Sequence, residues 1–227
     1  MCFSLELKAM IKAVIFDFDG TLCNTLADLT AAVNEAISPY SSEKKSEAEV
    51  CSMIGDGIPM LLSRALGDAA DEKQKEKAYK TFKKYYSEHL TDKTYAYDGI
   101  NETLSVLKEM KLRLAVLTNK NQSFAEEIVK TLLPRKFDVI LGAKPSLPKK
   151  PDPTGAFFVA RKLKVNTDEC VIVGDSANDI NTASNCGAVS IGVPWGFRSV
   201  DELRANHARF IASEPSEVAE IIKRING

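Results

Sequence analysis

Two rhythms of apolar and polar positions share this chain. Short apolar runs rich in β-branched and aliphatic residues fall at 11–17, 112–118, 137–141, 170–174, 188–193 and 209–212. Each has the length of a buried strand, and helical 3–4 spacing fills most of the intervals between them. That alternation predicts an α/β fold, a doubly wound and mostly parallel Rossmann-like sheet with helices on both faces. The interval from Thr25 to about Leu90 breaks the rhythm. Leu26, Leu29, Val33 and Ile37 recur at helical spacing, Met60-Leu61-Leu62 leads on to Leu66, and the charged stretch DEKQKEKAYKTFKKYYSEHL follows without a strand-like run. The expected organisation is therefore a core built from 10–23 and 94–227, with a helical cap domain over 24–93.

Composition narrows the partners. A chain of 227 residues, 44% of them hydrophobic, can bury a sizeable core. Thirty basic residues against thirty-one acidic ones give a net charge of −1, so no overall field draws the chain to nucleic acid or to an anionic membrane. The lysines of 73–84 alternate with glutamates and with Tyr79, Phe82, Tyr85 and Tyr86, the mark of a solvated amphipathic helix. Apolar runs fall far short of the roughly 20 residues that span a bilayer. The first nine residues, MCFSLELKA, carry Glu6 and Lys8 and lack the apolar segment of a secretory signal, so they read as a short extension with Met10 as an alternative start. Five cysteines, Cys2, Cys23, Cys51, Cys170 and Cys186, form no C-x-x-C pair and read as reduced thiols. The expectation is a cytoplasmic monomer or weak homodimer that engages neither nucleic acid nor membrane.

The chemistry sits at the strand ends. In FDFDGT, Asp17 and Asp19 project from the same face at the end of the first apolar run, where open α/β sheets place their ligands. A turn needs one aspartate, and two carboxylates this close repel unless a cation or a proton offsets them. LAVLTNK ends in Thr118-Asn119, KKPDP presents Lys149 and Lys150, and VIVGDSANDI ends in Asp175 with Asp179 four residues on. Singly these are turn, cap and surface-lysine chemistry. Together they bring a hydroxyl, an ammonium and carboxylates to one edge. Phosphoryl transfer through an enzyme aspartate needs that set: a carboxylate nucleophile, an acid/base and fixed positive charge. A Mg²⁺ held by carboxylates would complete the neutralisation.

In type, order and spacing, Asp17-Phe18-Asp19-Gly20-Thr21-Leu22, Thr118-Asn119, Lys150-Pro151-Asp152-Pro153 and Gly174-Asp175-Ser176 with Asp179 resemble the four signature motifs of the haloacid dehalogenase-like hydrolases. The helical insertion resembles the subgroup with a small α-helical cap. Gly187-Ala188, Gly192-Val193-Pro194-Trp195-Gly196-Phe197 and the helix start at 199–203 resemble its phosphoglycolate phosphatase-like branch. That resemblance implies Asp17 as the nucleophile that becomes an aspartyl-phosphate and Asp19 as the general acid/base. It implies Gly20, Thr118 and the Asn119 backbone at the phosphoryl group, and Lys150 stabilising nucleophile and phosphoryl group alike. Mg²⁺ would rest on Asp17, the Asp19 carbonyl and Asp175, with Asp179 one water removed and Ser176 behind them. The substrate would be a small phosphorylated metabolite, phosphoglycolate among the candidates.

Within the helical insertion, Gly55-Asp56-Gly57 permit close backbone approach to a ligand, and Arg64 is a candidate partner for a carboxylate. Asn24, Asp98 and Met110-Lys111 depart from residues common in the family. A dehalogenase or phosphonate hydrolase would not need the acid at Asp19. A hexose-phosphate mutase or a pyrophosphatase would keep every motif and stays open. A two-component receiver domain gathers similar groups in a different order. A non-catalytic phosphate sensor or binding module would be free to lose Asp19 or Lys150, and both are present.

Overall fold

The computed structural model describes residues 9–227, so the reading of the amino-terminal extension, Cys2 included, lies outside the described residues. In chain order the elements begin with β1 (Ala13–Phe16), β2 (Cys23–Asn24), α1 (Leu26–Ile37), α2 (Glu47–Met53), α3 (Ile58–Leu66), α4 (Glu72–Glu88), β3 (Tyr95–Ala96) and α5 (Ile100–Glu109). They continue with β4 (Arg113–Asn121), α6 (Gln122–Leu132), β5 (Val139–Ala143), α7 (Thr154–Leu163), β6 (Cys170–Gly174), α8 (Ala177–Cys186), β7 (Val189–Gly192), α9 (Val200–Ala205), β8 (Phe210–Ile211) and α10 (Pro215–Asn226).

Six strands form one sheet in the order β5-β4-β1-β6-β7-β8, every pair parallel. The six apolar runs are those six strands. Because crossover helices cover both faces, β1 is apolar throughout and buried along its length. Val14 and Phe16 join Leu104, Ile128, Val218 and Ile222 in a core beneath α5, α6 and α10. Ala13 and Ile15 face the other way, toward Ala156, Val159, Ala160 and Ala183 of α7 and α8. The register pairs Phe16 with Val116 on one side and with Val173 on the other. Asp17, Thr118 and Asp175 therefore leave the sheet at the same edge, within a residue of a common level.

Helices α1 to α4 hold a third core made of Leu29, Val33, Ile37, Val50, Leu62, Phe82 and Tyr86, joined by Phe124 of α6. On α4 the lysines face outward while Ala78, Phe82 and Tyr86 are buried, and a capping box between Asp71 and Gln74 starts the helix. Among the described residues no helix is long and apolar enough to cross a membrane. A second sheet, the antiparallel ribbon of β2 and β3, was not expected from the sequence. It ties the chain's departure into the helices to its return. Asn24 serves that junction, accepting from the Leu26 N–H at 3.1 Å and donating to the Tyr95 hydroxyl at 3.2 Å. Lys111, in the turn between α5 and β4, has a left-handed φ of 60°.

A buried carboxylate locks the same junction. Asp28 on α1 accepts from the Lys93 N–H, from the Thr94 N–H at 2.8 Å and from the Thr94 hydroxyl at 2.7 Å. Removing it orphans two backbone donors at the return crossing, each costly when buried. Asp28→Ala should lower the unfolding free energy in urea by about 2–4 kcal/mol. A loss below about 0.5 kcal/mol would show that water replaces the carboxylate there.

Candidate active site

Glycine admits the loops that close over the sheet edge. Gly20 turns the chain after β1 with φ 82°, and a Cβ there would sit 2.3 Å from Asp175 Oδ2. A Cβ on Gly196 would come within 2.1 Å of the Gly20 carbonyl oxygen. The two loops thus press backbone against Asp175, whose Oδ1 accepts from the Thr21 hydroxyl at 3.2 Å and whose Oδ2 accepts from the Phe197 N–H at 2.8 Å.

Beside it, the Lys150 ammonium lies 2.7 Å from Asp17 Oδ1 and 2.5 Å from Asp179 Oδ1. Asn119 steers that lysine: its Oδ1 accepts from the Lys150 N–H at 2.9 Å and its amide donates to the Lys150 carbonyl at 3.1 Å. Asp179 is fully buried at the start of α8, where its Oδ2 accepts from the N–H and the hydroxyl of Ser176. Burial pushes the Asp17 carboxyl up to about 6, with Asp179 and Asp19 adding to the shift and Lys150 opposing it. Burial, Asp179 and Asp17 push Asp175 up to about 8. Burial works against the Lys150 ammonium, but Asp17 and Asp179 outweigh it and hold its pKa above the usual lysine value.

Asp17, Asp175 and Asp179 each offer an oxygen within 4.8 Å of the others. Asp17 Oδ1 is buried against the Lys150 ammonium at 2.7 Å. Three carboxylates beside one ammonium form an all-oxygen donor set with excess negative charge, which fits a small, hard divalent cation. Asp19 belongs to a different environment. Its Oδ1 accepts from the Thr25 hydroxyl at 2.7 Å and from the Lys120 ammonium at 2.9 Å.

Lys120 was not singled out in the sequence, nor were Thr21, Thr25 and Arg198. β4 slips its register against β5 between Leu117 and Asn121, and such irregularities re-aim side chains. Thr118, Asn119 and Lys120, three consecutive residues, all line the same cleft and are all buried. The sequence signal was the lysine directly after Thr118-Asn119. Cys23, next to the motif, is buried near Asp19 and its thiol is pushed up to about 12, which leaves it unreactive.

The helical segment forms the opposite wall. The loop after α2 is held by its carbonyl oxygens: Ile54 accepts from Arg198 at 2.7 Å, Gly55 from Asn119 at 2.9 Å, and Asp56 from Lys149 at 2.7 Å. Asn178 adds a longer bond to the Gly55 carbonyl, and Arg198 also donates to the Cys51 carbonyl. Gly55 and Gly57 line the cleft together with Leu29, Ile58 and Leu61, and its volume is about 700 Å³ with its open mouth included. Asp56 and Arg64 do not line it. The Arg64 guanidinium is engaged by Asp56 at 2.5 Å and by the Met53 carbonyl at 2.7 Å, so the arginine at the cleft is Arg198.

Residues 14–193 match the family model of the haloacid dehalogenase-like hydrolases. A phosphoglycolate phosphatase of Neisseria meningitidis serogroup A is 36% identical over 203 residues, 87% of this chain and 86% of the relative. One from Vibrio parahaemolyticus is 31% identical over 219 residues, 93% of this chain and 96% of the relative. The crystal structure of a predicted phosphoglycolate phosphatase from Haemophilus somnus superimposes with a TM-score of 0.88 at 28% identity, covering 94% of this chain and 99% of that one.

The charge excess makes a pH-dependent signature. Folded carboxyl pKa values near 6 for Asp17 and 8 for Asp175 lie above their unfolded values, so the folded chain holds extra protons in between. The stability these groups contribute is full below their unfolded pKa and is lost as pH rises through the folded ones. In chelator-treated protein, Asp175→Asn should therefore gain several degrees in Tm relative to the parent between about pH 5 and about pH 8. Excess divalent cation should cancel that advantage. A difference in Tm that is constant with pH would contradict the assignment.

Proposed function

The chain belongs to the haloacid dehalogenase-like hydrolase family and is a phosphoric monoester hydrolase, and from that premise we propose that it hydrolyses a small phosphomonoester, phosphoglycolate first among them, through an aspartyl-phosphate on Asp17. The observation that carries this reading is the contrast between two neighbouring carboxylates. Asp17 sits with Asp175 and Asp179 in an acidic cluster around the Lys150 ammonium, whereas Asp19 is set apart and held by the Lys120 ammonium and the Thr25 hydroxyl. Environments that divide a carboxylate pair in this way divide its roles.

Asp17 attacks phosphorus, and the bond from phosphorus to the ester oxygen breaks. Asp19 gives its proton to the departing oxygen, then takes one from the water that attacks the aspartyl-phosphate, releasing phosphate and regenerating Asp17. Lys150 offsets the charge on the nucleophile and on the transferring group, and the Thr118 hydroxyl and Asn119 backbone bind phosphoryl oxygens. Asp17, Asp175 and the Asp19 carbonyl would hold Mg²⁺, which when bound neutralises phosphoryl oxygens, with Asp179 supporting from behind. Asp179 meanwhile fixes Lys150. The helical segment acts as a cap whose wall of Leu29, Ile58 and Leu61 keeps water from the reacting group. Phosphoglycolate is favoured by the activity of the curated relatives.

A panel of phosphorylated metabolites assayed with Mg²⁺ tests the substrate, with phosphoglycolate expected to give the highest kcat/KM and free phosphate as product. Phosphate recovered on a second sugar position would instead identify a mutase. Asp17→Asn should reduce kcat by more than about 10³-fold while the Tm stays near that of the parent. Chelation should abolish turnover and Mg²⁺ restore it. Activity near the parental level in Asp17→Asn would overturn the covalent route.

A further inference from the structure

An ammonium buried beside the acid/base needs a reason, and Lys120 supplies one through its partners. Its side chain is 3% exposed at the end of β4, where an uncompensated charge would be costly. One donor goes to Asp19 Oδ1 at 2.9 Å and another to the Tyr86 hydroxyl at 2.8 Å. Thr25 donates to the same Asp19 oxygen at 2.7 Å. Two donors on Oδ1 fix the rotation of the carboxylate, and no side-chain or backbone donor among the described residues takes Oδ2. That oxygen is left for proton transfer at the wall of the cleft.

We propose that Lys120 is a positioning residue for Asp19 and that Tyr86, supplied by the helical segment, holds Lys120 in place. The inference rests on the reading of Asp19 as the general acid/base. Tyr86 is fully buried on α4, packed against Phe82 and Phe124, and its hydroxyl is what reaches the sheet edge. The acid/base is thus oriented by a contact that exists only while α4 rests on the core. Lys120 is fixed from both sides, by the carboxylate below and the phenol above.

Steady-state kinetics on phosphoglycolate and p-nitrophenyl phosphate test this in the parent, Lys120→Met, Tyr86→Phe, Asp19→Asn and the Lys120→Met/Asp19→Asn pair. The first transfer, reported by kcat/KM, needs a proton for the alkoxide of phosphoglycolate but not for p-nitrophenolate. The second step needs Asp19 as base with either substrate. Lys120→Met should lower kcat/KM on phosphoglycolate by about 10²-fold and on p-nitrophenyl phosphate by less than about threefold. It should lower kcat on both and expose a burst of p-nitrophenolate.

Tyr86→Phe keeps the ring and should shift the same quantities in the same direction by about threefold to tenfold; if Lys120→Met does not fold, this variant decides alone. Adding Lys120→Met to Asp19→Asn should cost nothing further, since residues acting through one another are not additive. Equal losses of kcat/KM on the two substrates, or additive losses in the pair, would overturn the inference. A higher KM for phosphoglycolate at unchanged kcat would also overturn it, making Lys120 a substrate contact. If Asp19→Asn itself fails to discriminate between the substrates, the acid/base reading falls and this inference with it. Discrimination in Asp19→Asn that is absent from Lys120→Met and Tyr86→Phe overturns the inference alone.

Discussion

A single ammonium, that of Lys150, lies between two buried carboxylates at the carboxyl edge of the sheet, and much of the surrounding structure exists to keep it there. Gathering Asp17 and Asp175 beside Asp179 is unfavourable, because burial and the neighbouring carboxylates push the Asp17 and Asp175 carboxyls up. The lysine relieves part of that cost, and only if its position is fixed. Asn119 grips its backbone from the end of β4, and Ser176 steadies Asp179 at the start of α8. The shared level of the strand ends is what lets three separate stretches of chain meet around one charge.

A second ammonium repeats the device two residues along. Lys120 faces Asp19 as Lys150 faces Asp17, but its other partner is Tyr86 rather than a further acid. One cation therefore sits in a negatively charged cluster and the other in an aromatic pocket. This asymmetry gives two carboxylates of the same strand end unlike surroundings. It also couples the helical segment to the sheet edge through the Tyr86 hydroxyl.

The main sheet was legible because its central strands β1 and β6 are buried along their whole length and show unbroken apolar runs, with shorter runs marking the strands outside them; the helical insertion was legible from the spacing of Leu26, Leu29, Val33 and Ile37. The ribbon of β2 and β3 was not, since strands of two residues have no period to detect. Lys120 escaped notice for a different reason. A lysine following Thr-Asn at a strand end reads as solvated, and its burial depends on a slip in β4 and on an aromatic ring from α4, 34 residues earlier in the chain. Arg64 was singled out on charge alone. The fold gives it Asp56 as a partner and brings Arg198 from a distant loop to the cleft instead.

Core side chains hold the loop at 54–56 chiefly by its carbonyl oxygens, which every residue has, with one longer bond from Asn178 to the Asp56 carboxylate. The grip on the carbonyl oxygens is therefore indifferent to the side chains at 54 and 56, while Gly55, at φ 135°, keeps a backbone requirement of its own. Exchanging Ile54 or Asp56 for another residue leaves the oxygens gripped by Arg198 and Lys149 in place, so the roof of the cleft behaves as a replaceable tile on a permanent frame. A fold made this way can change the lining of its cleft at one turn while the cluster of charges beneath it is left untouched.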